Sequence, residues 1–243
     1  TEMQNPGYIA LSRQVVLNRQ LDVVANNIAN LGTTGFKRQN TMFAEHLAKM
    51  DNRESASYVV DSGTMRDMGQ GPLQTTGNSM DLAIEGDGYF TVDTPRGVRY
   101  TRDGQFTRGP EGNIITPSGF ALVDENNAPV QVPVDAKEIT VGKDGAVFGN
   151  DQQVARIQLV DFNNPQALIH TADGLYKADG EPKPTENGRI QQGMLESSNV
   201  NPVNELVTML EIQRDYQASH RMMKSEHDRL SRAIKELGRV EQG

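Results

Sequence analysis

Hydrophobic positions along this chain follow two different periods. Near the start, Leu17, Leu21, Val24, Ile28 and Leu31 recur at spacings of four, three, four and three. At the finish, Met209, Ile212, Tyr216, Ser219, Met223, Glu226, Leu230, Ala233, Leu237 and Val240 alternate three and four throughout. This is the a/d rhythm of helices whose apolar seam faces another helix. The first helix is predicted from about Tyr8 to Asn30, or ~35 Å of α-helix. Asn5-Pro6-Gly7 sets its start, and Gly32-Thr33-Thr34-Gly35 stops it, because glycine accepts the backbone turn that follows a helix. The last helix is predicted from Pro202 to Leu237, ~54 Å long. Asn201 is its expected N-cap, Pro202 its first residue, and Glu205 lies where a carboxylate suits the helix dipole.

Between the helices the period changes. Thr41 to Met50 is a second amphipathic piece, carrying Met42, Phe43, Leu47 and Met50. From Asn52 to Gln74 the chain is polar and punctuated by glycine, as an extended connector would be. From about residue 78, short runs rich in β-formers alternate with Asp-Gly and Gly-Asn pairs. Tyr89-Phe90-Thr91-Val92 follows Asp87-Gly88, Gln105-Phe106-Thr107 follows Asp103-Gly104, and Ala146-Val147-Phe148 follows Asp144-Gly145. Such spacing predicts tight hairpins and an all-β body. Within it, residues 133–183 have the look of a β insertion, with Glu181-Pro182-Lys183-Pro184 as its return loop.

Composition narrows the function. Of the 243 residues, 36% are hydrophobic and none is Trp, so the expected core is modest and elongated. The formal charge is 24 − 32 = −8, which argues against nucleic acid and against an anionic membrane surface as partners. No apolar run approaches the ~20 residues that span a bilayer, so membrane insertion is not expected. The opening residues lack the basic and apolar regions of a secretory leader. Export, if it occurs, is expected without a cleaved signal peptide. With no cysteine, neither a disulfide framework nor a thiolate site is available.

Candidate chemistry is sparse. His220 and His227 lie seven residues apart on one predicted helix, too far to share a metal without another ligand. Glu85-Gly86-Asp87-Gly88 has neither the spacing of a phosphate-binding loop nor that of a calcium loop, and turn chemistry accounts for it. Nothing sets a pair of carboxylates apart among the 32 acidic side chains. The expectation is therefore no enzyme activity, no metal and no cofactor. A rival of a different class is a β protein that binds or hydrolyses cell-wall glycan, though aromatics are only 5% of the chain. The helical stripes either pack onto the β body or against other helices. Their place at the chain ends and the amide-rich stretch Ala25-Asn26-Asn27-Ile28-Ala29-Asn30 favour the latter, because Asn is a mediocre helix former that suits interhelical hydrogen bonds.

That same stretch, followed by Thr33-Thr34-Gly35-Phe36-Lys37, resembles the axial rod-and-hook proteins of the bacterial flagellum. The resemblance continues through Asp81-Leu82-Ala83-Ile84-Glu85-Gly86-Asp87-Gly88-Tyr89-Phe90 and Tyr100-Thr101-Arg102-Asp103-Gly104-Gln105-Phe106. It closes with Gly193, Leu195-Glu196, Ser198-Asn199-Val200-Asn201 and Gln213-Arg214-Asp215-Tyr216. It covers nearly the whole chain in the family's order. Pro6-Gly7-Tyr8-Ile9-Ala10-Leu11-Ser12-Arg13-Gln14 and Met42-Phe43-Ala44-Glu45-His46-Leu47 are similar to proximal-rod members, with the distal rod as the alternative.

The resemblance implies an α+β fold in which long N- and C-terminal helices form one discontinuous, coiled-coil helical domain around an all-β, hairpin-rich body. The domains would be 1–40 with 197–243, a connector at 41–77 and the body at 78–196. It further implies a structural subunit of the periplasmic rod that transmits motor torque. Its partners would be itself, other proximal and distal rod proteins, the flagellar type III export apparatus and the surrounding basal-body rings. The residues expected to make the subunit contacts are Leu17, Leu21, Val24, Asn26, Asn27, Ile28, Asn30, Leu31, Met209, Ile212, Tyr216, Met223, Leu230 and Leu237.

Overall fold

The computed structural model describes residues 5–49 and 55–240, with side chains described there except at 5–10, 43–49, 55–62, 172, 230, 233, 234 and 236–240. The fold is α+β. Helix α1 spans Asn5–Ala29 and helix α2 spans Pro202–Val240. Strands β1 (Gln39–Lys49), β2 (Ser55–Arg66), β3 (Leu73–Thr75), β4 (Leu82–Glu85), β5 (Tyr89–Asp93) and β6 (Arg99–Thr101) open a series that continues to Met194–Glu196. Among the described residues, no helix is long and apolar enough to cross a membrane.

Two compact units divide the chain: residues 1–29, 39–65 and 201–243 form one, and residues 30–38 and 66–200 form the other. The first unit holds both helices and the β1–β2 ribbon. Along α1, Leu17 and Val24 are buried against Ile212 of α2, with Leu21, Ile28, Met209 and Tyr216 packed around them. The seam spacing read from the sequence thus joins two helices of one chain. Asn201 starts α2 as its cap, its side-chain oxygen accepting from the amides of Val203 at 3.0 Å and Asn204 at 3.2 Å. Two of the amides that a helix start leaves without intrahelical partners are satisfied this way.

Segment 41–77, expected as an amphipathic piece and then an extended connector, is mostly paired strand among the described residues. β1 and β2 form a two-stranded sheet, and β3 pairs with Met194–Glu196. The physical reason lies in residue type: Tyr58, Val59 and Val60 are β-formers, which favour pairing over an open chain. Met50 of the predicted amphipathic piece lies outside the described residues.

The second unit is built on a nine-stranded sheet with β5 at its centre, flanked by β6, Ala121–Leu122 and Leu159–Asp161. Tyr89, Phe90, Thr91 and Val92 are all buried, so β5 is covered on both faces. Phe90 and Val92 enter a core with Leu82, Ile84, Phe106, Ile114, Leu122 and Val130. Tyr89 joins an aromatic cluster on the other side, edge-to-face with Phe162 and Tyr176 at 5.8 Å each. Residues 133–183, expected as an insertion, divide in two. Ile139–Val141, Ala146–Gly149 and Gln152–Arg156 form a separate antiparallel meander, whereas Leu159–Asp161 pairs with β5 and Tyr176 with β6. Val160 and Tyr176 bury their side chains in the aromatic cluster, and that burial draws this stretch into the main sheet.

Candidate functional site: helix faces and a buried charge knot

The residues expected to make subunit contacts take several different environments. Leu17, Val24 and Ile212 are core residues of the α1–α2 pair, and Leu21, Ile28, Met209 and Tyr216 line it. Met223 continues the row half-buried. Asn26 is exposed. Asn27, one residue on, is 1% exposed and makes three hydrogen bonds. Its amide nitrogen donates to the Gln39 carbonyl at 2.9 Å and to Glu205 Oε2 at 3.1 Å, and its oxygen accepts from the Gln39 amide at 2.9 Å. The side chain therefore pairs with a backbone unit as another peptide group would, while also tying α1 to the first turns of α2. Asn30 and Leu31 lie half-buried beyond the helix, where Asn30 Oδ1 accepts from the Thr33 hydroxyl at 3.1 Å. The side chains of Leu230 and Leu237 lie outside the described residues.

Sequence reasoning missed a second apolar face. Val203, Leu206, Val207 and Leu210 are 66, 53, 50 and 54% exposed, and they fall at i, i+3, i+4 and i+7. At 100° per residue this stripe is centred roughly 140° around α2 from the Met209–Ile212–Tyr216 seam. On α1, Leu11 and Val15 are likewise exposed. The signal was present in the spacing of 203–210, but the longer three-four register at 209–240 overshadowed it.

In the second unit, the segments that carry the family resemblance converge on one carboxylate. Glu196 is 1% exposed. Its Oε1 accepts from Lys37 Nζ at 2.6 Å and the Gly71 amide at 2.9 Å, and its Oε2 from Arg102 Nη1 at 3.0 Å. Lys37 also donates to the Gly69 carbonyl at 2.9 Å and Arg102 to that of Gly86 at 2.7 Å. Burial lowers the Lys37 pKa from its ordinary value, with Glu196 pulling it back up. The guanidinium of Arg102 sits 5.5 Å from the Tyr89 ring centroid.

Around this knot the backbone is threaded tightly. The Gly35 amide donates to the Glu196 carbonyl at 2.8 Å, and the Asn199 side chain accepts from the Arg38 amide at 2.7 Å. Gly35 has φ +66°, and a Cβ there would lie 2.6 Å from the Arg102 carbonyl carbon. Only glycine fits both the conformation and the space. Nearby, Thr34 donates to Asp103 at 2.5 Å. Burial raises the Asp103 pKa, with that hydroxyl working against the rise.

Residues 8–37 match the family described as flagella basal body rod protein, and residues 83–149 that of the flagellar hook protein FlgE/F/G D1 domain. Residues 191–236 match the flagellar basal body rod FlgEFG protein C-terminal family. These define an axial protein of the rod-and-hook class. The chain is 40% identical to the flagellar basal-body rod protein FlgF of Caulobacter vibrioides, over 98% of this chain and 100% of the relative. It is 34% identical to FlgF of Mesorhizobium japonicum over 97% of this chain and 99% of the relative. Against the rod protein FlgG of Bacillus subtilis it is 30% identical over 93% of this chain and 97% of the relative. The chain belongs to the flagellar basal-body rod protein family.

Proposed function

We propose that this chain is a non-enzymatic subunit of the proximal rod, polymerising through its terminal helices into the periplasmic shaft that carries motor torque. The observation that carries this reading is the double-faced N-terminal half of α2. One face is spent on α1, while Val203, Leu206, Val207 and Leu210 leave the other apolar and exposed. A helix apolar on two opposed sides is stable in water only when both are covered, and neighbouring rod subunits supply the cover. On this reading α1 and α2 form one discontinuous, coiled-coil assembly domain. The seam residues named above hold it together, and the outward stripe docks. A head-to-tail contact whose rotation does not close gives a helical shaft.

The chain is delivered by the flagellar type III export apparatus as an unfolded polypeptide. Its Asn-rich α1 gains its stability by packing, so folding and docking are coupled. Its neighbours are other rod proteins, inside the basal-body rings. Proximal placement rests on the higher identity to FlgF than to FlgG; the distal rod is the second reading. The test is to express the full chain, carrying a small epitope, in a strain lacking its own proximal-rod protein. Labelled basal bodies are then imaged. Label at the cell-proximal end of the rod is expected; label along the distal rod, or none on the rod at all, overturns the reading.

A further inference from the structure

The knot at Glu196 joins pieces far apart in sequence. Residues 33–38, the turn at 69–72, Arg102 and the strand at 194–196 meet at one carboxylate. Two buried cations face a single buried anion. Without the carboxylate they would face each other, out of water. Removing one partner of a buried ion pair is costly because the remaining charge is left uncompensated. By contrast, the sheet around β5 closes on apolar and aromatic side chains, which meet the knot where the Arg102 guanidinium lies over the Tyr89 ring. The two parts of this unit are therefore held by different physics, one by a single charge contributed by the last strand and the other by burial.

We propose that Glu196 is a closure latch. Residues 33–38, 69–72 and 194–199 open and shut as one cooperative flap on the prefolded sheet, and the Glu196 carboxylate holds it shut. The strand pairing supports a late closure, because Arg189–Gln192 pairs back onto β4 and Met194–Glu196 onto β3. β4 gains its partner from the end of the body with residues 189–192, and β3 gains its own only when residues 194–196 are in place. For a subunit delivered unfolded with its N-terminus leading, an extension that rests on the function proposed above, the latch shuts as α2 follows. The body is then completed just before the docking helix.

The latch is tested on the purified full chain, with no assembly involved, so its failure is separate from failure of the rod reading. Native-state hydrogen exchange in low urea follows the amides of Gly35, Gly71, Ser197 and Asn199, bonded to Glu196, Pro72 and Phe36. Val123 and Val130, bonded within the sheet region, serve as controls. In the parent chain the four flap amides share one opening that is faster than that of the controls. Glu196→Gln, nearly the same shape but uncharged, speeds the flap amides about a hundredfold or more and leaves the controls within about threefold. Lys37→Met removes the surplus cation, leaves Arg102 and Glu196 balanced, and changes flap exchange by no more than about tenfold. The proposal is overturned if Glu196→Gln speeds flap and controls together (loss of the whole fold included) or leaves the flap unchanged. It is equally overturned if Lys37→Met opens the flap as much as Glu196→Gln does.

Discussion

Replacing Leu206 and Leu210 together by Glu separates docking from folding. Both side chains are about half exposed, at 53% and 54%. Fully burying a leucine contributes about 1.5–3 kcal/mol, so covering the exposed half of each is worth roughly 1–1.5 kcal/mol. With Val203 and Val207 included, the stripe supplies about 4–6 kcal/mol of gross docking energy, before the entropy of association is subtracted. The double variant removes about half of that, which corresponds to roughly 30- to 150-fold weaker association at each contact. Burying two carboxylates weakens it further. The isolated chain should be nearly indifferent. Glu forms helix almost as well as Leu, and a carboxylate near the start of α2 suits the helix dipole.

The assay pairs soft-agar motility and recovery of the subunit in purified basal bodies with thermal melts of the purified chain. Lost incorporation with an unchanged melt is expected. Ile212→Glu, at a buried seam position, should lower the melt as well. A double variant that assembles and swims normally refutes the stripe as a docking face. One that melts far below the parent shows the stripe to be core.

Two further outcomes follow from single side chains. Asn27→Ala strips partners from Gln39 and Glu205 and should cost about 1–3 kcal/mol. Asn26→Ala, at an exposed position, should change stability by less than about 0.5 kcal/mol; urea midpoints followed by helical circular dichroism distinguish the two, and equal effects would defeat the assignment. Burial pushes the Tyr89 phenol up to about 12 from 10.0. The folded chain therefore keeps a proton that the unfolded chain releases between those values. Stability present below pH 10 is lost as pH rises toward 12, by up to about 1.4 kcal/mol per pH unit. Tyr89→Phe should lessen this slope, measured as urea midpoints at several alkaline pH values, and leave the part due to Tyr100 and Tyr176, whose phenols burial also raises; an unchanged slope would count against it. Lys37, lowered by burial, acts in the opposite sense below its ordinary 10.5, so the comparison is between variant and parent.

The helices were legible because their period is long and regular. Leu17 to Ile28 and Met209 to Tyr216 face each other in space as the three-four spacing requires. The β-rich body was legible too, but its hairpins only in part: Asp144-Gly145 joins the paired strands Ile139–Val141 and Ala146–Gly149, whereas the strands on either side of Asp87-Gly88 and of Asp103-Gly104 pair elsewhere. The β1–β2 ribbon and the weaving of 157–183 into the main sheet were not. Pairing partners across such distances are chosen by tertiary burial, not by local propensity. Glu196 was visible within a family motif but not as a charge centre, because Lys37, Gly71 and Arg102 are between 94 and 159 residues away. The outward stripe on α2 shares its period with the seam and differs from it only in phase. A reading that looks for one apolar face per helix finds the longer and stops.

That difference of phase gives the buried polar contact in the helix pair its meaning. A seam made of Leu17, Leu21, Val24, Ile28, Met209, Ile212 and Tyr216 is apolar throughout and would tolerate a slide of one heptad, ~10 Å along the helix. Asn27 does not tolerate it. Its amide must meet both the Gln39 backbone and a Glu205 carboxylate that is 0% exposed, and a slide would break these buried hydrogen bonds. A buried polar contact of this kind fixes register at some cost in stability. Register, in turn, decides where the Val203–Leu210 stripe lies along α1, and hence whether successive subunits present one continuous docking surface. Asn27→Ala should therefore reduce rod incorporation by more than its effect on the melt accounts for. Proportionate losses in the two assays would show that the contact contributes stability alone.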